Sequence, residues 1–285
     1  MHPFFPPGPE ERFYFSLWLY SYESFVEHYD WVIEFVESTF AFGDQFGVGL
    51  QFVADMKPRG KEVRRKFTPK TWEWCKQELR EGRLWMLLTH PKDFAAPKTL
   101  YPVWSVNMLS SIHPREVVAD DSQTVPYWKL PLPNEIKFVI ELPLTIPHID
   151  PELQQALVHL GRTTFTKIKA IYGFINLSRR PASADVGGTE YERRRDLLAD
   201  QTTHLLRWAV RGAFWENYLS EGHIQALGGI DSIKASAPCA RVDELIEGKA
   251  LAVRLTEDVN ELSLVLVQKL EAYFQPLAPS LDSAK

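Results

Sequence analysis

Between Arg211 and Ile230 the chain reads Arg-Gly-Ala-Phe-Trp-Glu-Asn-Tyr-Leu-Ser-Glu-Gly-His-Ile-Gln-Ala-Leu-Gly-Gly-Ile, an order that few conformations accommodate. Phe214, Trp215, Tyr218 and Leu219 are too dense for a solvated loop, which predicts a buried segment in strand conformation. Ser220 has the chemistry of a helix N-cap, and Glu221 stands where a carboxylate complements the first turn. His223, Ile224 and Leu227 follow at helical spacing. Gly228 and Gly229 then supply the left-handed stop of a short helix. A strand, a short helix and a sharp exit are predicted from this stretch alone.

The rest of the chain supplies a large core around it. Of its 285 residues, 45% are hydrophobic and 24% charged, the balance of a globular protein. Nine Trp and seventeen Phe predict a ring-rich interior. The formal net charge of −5 argues against sequence-independent binding of nucleic acid, which needs clustered Lys and Arg, and suits a basic partner. Cys75 and Cys239 stand far apart with no Cys or His at ligand spacing, which argues against a disulfide framework and structural zinc. Met1 to Glu10 is broken by prolines and lacks a basic n-region, so it reads as an extended lead-in rather than a signal peptide. No apolar run approaches the ~20 residues that span a bilayer, and the expected location is the cytoplasm.

Hydrophobic periodicity predicts an α+β fold of largely antiparallel sheet with packed amphipathic helices. Residues 12–20 alternate with apolar side chains on both faces, as an interior strand does. A helix is expected over Glu23–Phe40, with Phe25, Tyr29, Val32, Ile33 and Val36 on one side. Phe46, Val48, Leu50 and Phe52 alternate as a second strand. The basic Lys57–Lys66 run reads as an exposed loop. Thr68-Pro69 starts a helix that stops near Gly82. Leu84–Leu88 and Val103–Leu109 read as strands, and the polar, proline-rich residues between His113 and Pro133 as a linker. The second half opens in the same way, with a strand from Ile136 to Leu144, a helix capped by Asp150 before Pro151, and a strand from Ile171 to Leu177. The chain is therefore read as one domain over 1–285, with a possible division into related strand–helix–strand halves at 12–112 and 134–276. Arg179–Gly188 reads as a loop and Glu190–Asp200 as a solvated, charged helix. Leu251–Leu255 is a late strand, and Asn260 is the expected cap of a final helix.

Chemistry is sparse. No Gly-x-Ser-x-Gly elbow is present, and Gly43–Gly49 lacks the lysine of a phosphate-cradling loop. The histidines are scattered, and Asp150 beside His148 is better read as a helix cap than as a metal ligand. These residues predict no catalytic site, metal or cofactor. Carboxylates pair in sequence at Asp120 with Asp121, Glu190 with Glu192, and Glu216 with Glu221. Glu216 is the one that aromatic neighbours would desolvate.

The run Arg211-Gly-Ala-Phe-Trp-Glu-Asn-Tyr-Leu219, followed by His223-Ile and Leu227-Gly-Gly229, resembles a bacterial family of immunity proteins of type VI secretion effectors, particularly those against VRR-type nuclease toxins. Trp215, Asn217, Tyr218, Leu219, Gly228 and Gly229 carry the resemblance. The resemblance implies a non-catalytic protein that binds a cognate toxin, a nuclease expected to be basic, and blocks it in the producing cell. Under that reading Asp120, Asp121, Glu190, Glu192, Glu216 and Glu221 are the candidate acidic contact surface. The alternatives are a small-molecule hydrolase with a cleft near Glu216 and His223, or a structural interaction module.

Overall fold

The computed structural model describes residues 12–45, 52–58, 63–66, 68–91, 103–109, 132–143, 148–178, 189–195 and 202–279. Among the described residues ten strands form one sheet: β1 (Arg12–Ser21), β2 (Phe52–Pro58), β3 (Val63–Lys66), β4 (Leu84–Pro91), β5 (Val103–Leu109), β6 (Asn134–Pro143), β7 (Tyr172–Ser178), β8 (Glu216–Ser220), β9 (Arg241–Ile246) and β10 (Ala250–Arg254). Their order is β3-β2-β4-β5-β6-β1-β7-β8-β10-β9, and every neighbouring pair is antiparallel. The helices are α1 (Tyr29–Gln45), α2 (Pro69–Arg80), α3 (Pro151–Lys167), α4 (Glu190–Arg193), α5 (Glu221–Ala226), α6 (Ile230–Ser236) and α7 (Leu264–Tyr273). The fold is α+β with antiparallel sheet, as the periodicity predicts.

β1 is the central rod. Every side chain from Phe13 to Ser21 is buried, so both of its faces are core. It lies between β6 and β7, pairing Leu17 with Phe138 on one side and with Ile175 on the other. The strands β6 and β7 joined by α3 therefore run parallel to each other with β1 inserted between them. The first strand–helix–strand unit is laid out differently, because β2 lies four places away from β1. A single sheet thus runs through both halves of the sequence.

α3 covers β1 and β7 at very short range, and glycines set that range. Gly173 on β7 faces Leu19 and the Tyr218 ring, and a Cβ there would stand 2.6 Å from Leu19 Cδ2 and 2.7 Å from the Trp18 carbonyl. Gly161 on α3 meets the Tyr218 hydroxyl, with which a Cβ would collide. Helix and sheet approach closely because two side chains are missing where one large ring lies.

Several local signals act as expected. Thr68 caps α2 by accepting from the Thr71 amide, and Asp150 caps α3 by accepting from Glu152. Elsewhere tertiary pairing overrides the local reading. The helix expected from Glu23 begins only at Tyr29, because Ser21 and Ser24 hydroxyls accept the Glu23 and Glu27 amides and hold a turn. The Lys57–Lys66 loop contains the edge strand β3, whose basic residues suit an edge that must resist further pairing. Asn260 does not cap the last helix. Its amide pairs with the Ile149 backbone at 2.8 and 2.9 Å, and Ser263 caps α7. Of the strand expected over Phe46, Val48, Leu50 and Phe52, only Phe52 is described, as the first residue of β2, and residues 113–131 of the expected His113–Pro133 linker and the loop at 179–188 lie outside the described residues.

Gly173→Ala is expected to lower stability by about 2 kcal/mol through overpacking. The measurement is the urea midpoint; an unchanged midpoint would mean that Leu19 and Tyr218 move aside without strain.

Candidate functional site

The Arg211–Gly229 segment is the best-formed chemical assembly in the fold, and its side chains divide between the two faces of the sheet. Residues of β8 alternate, so Glu216 and Tyr218 face α3 while Asn217 and Leu219 face the opposite layer. Phe165 of α3 lies against the Tyr218 ring at 5.3 Å between centroids. Tyr218 is fully buried, which pushes its hydroxyl well above the ordinary phenol range. Trp215 donates its indole N–H to the Thr256 carbonyl at 3.0 Å. Asn217 clips the approach to β8: its Oδ1 accepts from the Phe214 amide at 3.1 Å, and its Nδ2 donates to the Phe214 carbonyl at 2.9 Å. Phe214 stacks on Phe174 at 3.8 Å. The aromatic run is therefore buried as expected, although its strand begins only at Glu216.

Two buried ion clusters flank β8. On the α3 face, Glu216 is fully buried and receives Arg254 at 2.5 Å and Arg162 at 2.9 Å. Arg162 continues to Asp243 at 2.8 Å, which Arg241 also holds. Burial opposes the Asp243 charge, but hydrogen bonds from Arg241 and Arg162 outweigh it and hold the carboxyl below its ordinary range. On the opposite face, Arg211 forks onto Glu192 with two 3.0 Å hydrogen bonds and donates to Tyr20 Oη at 2.7 Å. Thr189 gives its amide to Glu192, and Thr202 gives its hydroxyl. Burial would raise the Glu192 carboxyl, but Arg211 and these donors keep it lowered. Both acids are compensated ions of the interior.

These positions correct the expected acidic surface. Glu192 and Glu216 are both 0% exposed, so neither reaches a partner; in the segment expected as a solvated helix from Glu190 to Asp200, α4 has Tyr191 and Glu192 packed inward, and residues 196–200 lie outside the described residues. Glu221 is exposed in the first turn of α5. Glu190 opens α4, and Asp120 and Asp121 lie outside the described residues.

The cleft envisaged near Glu216 and His223 is not formed by these two side chains. Glu216 points to the α3 side, whereas His223 lies beside Tyr172, whose ring stacks on Tyr20 in the opposite layer. His223 instead completes a capping box. Its Nδ1 accepts the Ser220 amide at 3.2 Å and its Nε2–H donates to the Ala209 carbonyl at 3.2 Å, the pattern of a neutral ring. Burial lowers its pKa to about 4. Gly228 and Gly229, at φ 87° and 93°, make the exit turn.

An open groove of about 710 Å³ lies between α1 and α3. Phe35, Phe42, Leu160 and Ile168 are its buried floor, and Trp31, Ala41 and Ala156 form apolar parts of its walls. Glu34 and Lys167 bridge one end as an ion pair. Pro151, Glu152 and Gln45 line the other end. The sequence does carry a signal for this groove. Trp31, Phe35 and Phe42 form a second apolar stripe on α1, beside the one through Val32 and Val36 that faces the core. Among the described residues, no group of three or more His, Cys, Asp or Glu is placed to hold a metal, and no helix is long and apolar enough to cross a membrane.

The fold is similar to that of the type VI secretion system protein PA0821 of Pseudomonas aeruginosa, with a TM-score of 0.58 at 10% identity over 96% of this chain and 75% of that one. No family model and no curated protein matches the chain.

Two outcomes test the interior assignments. Arg211→Met is expected to destabilise by about 3–5 kcal/mol by leaving Glu192 unpaired, and adding Glu192→Leu to recover much of the loss. Equal losses in single and double variants, read by chemical denaturation, would refute the pairing. For His223, the folded pKa lies below the unfolded one. Stability is therefore full above about pH 6.5 and falls as pH drops toward 4, because the unfolded chain takes the proton first. The loss amounts to about 3 kcal/mol. His223→Gln, which keeps a capping acceptor, is expected to show that much less pH dependence between neutral and acid denaturation curves.

Proposed function

We propose that this protein is a non-catalytic immunity protein that binds a toxin of a type VI secretion system and neutralises it by occlusion in the cytoplasm of the producing cell. The observation that carries the reading is the fold shared with a type VI secretion system protein over almost the whole chain. The resemblance of the Arg211–Gly229 segment to immunity proteins against nuclease effectors supports it from the sequence side. The toxin is proposed to be a basic nuclease, since the chain's charge of −5 would speed its capture. The α1–α3 groove is the proposed contact site, because it is apolar, open and lined by a single buried polar side chain, Thr164. A covering protein surface suits such a lining better than a small substrate held by converging polar groups.

The test is co-expression with each toxic protein encoded beside this gene. Survival of the cells and a stoichiometric complex on size exclusion are expected, with association slowed as salt is raised. A neighbour that stays lethal and forms no complex would overturn the reading.

A further inference from the structure

The two walls of the groove differ along its length. At one end Glu34 is neutralised by Lys167, and Lys169 lies over the Trp31 ring while it pairs with Glu23. At the other end Glu152 is exposed in the first turn of α3 and enters no ion pair among the described residues, with the exposed cap Asp150 beside it. The groove is thus apolar along its floor, charge-balanced at one end and negative at the other. Its walls are two helices of 17 residues each, and both line it from the first turn of the one to the last turn of the other. A third helix laid between them has the matching length and shape.

We propose that this groove docks an amphipathic helix of a basic protein partner, with the helix's apolar stripe on Phe35, Phe42 and Leu160 and a lysine or arginine of the helix at Glu152. The inference deepens the immunity reading by naming the element of the toxin that is gripped. The apolar stripe of the docked helix supplies the affinity, and the Glu152 contact sets its direction. The Glu34–Lys167 pair leaves the far end without net charge, so that end favours no second charge of either sign.

The probe is a synthetic amphipathic helix of about 18 residues, with leucine along one face and lysines toward one end, and a twin carrying glutamates in place of the lysines. Binding to the full chain is measured by calorimetry, with the fold of each variant checked by circular dichroism. The lysine peptide is expected to bind about tenfold more tightly than the twin, and Glu152→Lys to reverse that order. Ala41→Lys and Ala156→Lys, which place a charged chain in the groove from opposite walls, are expected to abolish binding. The proposal is overturned if neither peptide binds at roughly millimolar concentration, if both wall variants bind unchanged, or if light scattering shows a dimer whose interface the wall variants break. The toxin assay separates the two readings. Protection that survives Ala41→Lys removes the groove and leaves immunity standing, whereas peptide binding without protection from any effector does the reverse.

Discussion

The Tyr218 ring lies in a gap made by two missing side chains, and the rest of the structure depends on that fit. Gly173 leaves room for the ring against the sheet, and Gly161 leaves room for the hydroxyl against α3. The helix is thereby seated over β1 and β7, and its far side becomes one wall of the groove. β1 in turn is held on both edges, between β6 and β7, so the strand that opens the sequence cannot form its full pairing until the second half of the chain is present. The contacts of longest sequence separation are the ones that close the core, which places this fold among those that pay loop-closure entropy early.

Burying charge on both faces of β8 is costly, and the structure offsets the cost with complete pairing. Glu216 lies between Arg254 and Arg162, and Glu192 takes two donors from Arg211 with further donors from Thr189 and Thr202. Such clusters contribute less to net stability than apolar residues of the same volume would, but removing one partner is severe. Their geometry also limits how β8 can sit. A shift of one residue would turn Glu216 away from both arginines and send Tyr218 out of its gap, so the register of the strand is specified by charge and by shape together.

Most of the local structure was legible because it follows from local chemistry. The alternation of residues 12–20, the Thr68-Pro69 and Asp150-Pro151 helix starts and the Ser220 to Gly229 strand–helix–exit are decided by residues within a turn of one another. What escaped is decided at long range. Asn260 has the composition of a cap, but the Ile149 backbone, 111 residues away, claims its amide. Strands β3 and β9 are edges, and the charged residues that protect an edge also erase the apolar alternation by which a strand is recognised. The acidic pairs failed as surface markers for a related reason. Glu192 looks solvated beside its charged neighbours in sequence, and the rings around Glu216 signal burial but not its partners; only the tertiary fold brings Arg162, Arg254 and Arg211 to them.

The same burial separates fold from recognition. Trp215, Asn217, Tyr218 and Leu219 are at most 1% exposed, and their polar groups are taken up by Thr256, Phe214 and Val253 or sealed in the core. Side chains so engaged have nothing left to offer a partner. The Arg211–Gly229 segment therefore specifies the scaffold rather than a contact surface. Under the proposed function, specificity would come from positions that can change without disturbing the seat of α3. Trp31, Glu34, Ser38, Ala41, Glu152 and Ala156 meet that requirement, because they lie on the open sides of α1 and α3 while Val32, Val36, Leu153 and Leu157 hold the same helices to the sheet. Each helix thus carries one stripe that holds it to the sheet and another that stays open, and under the proposed docking, substitution along the second would alter what is bound while leaving the first intact.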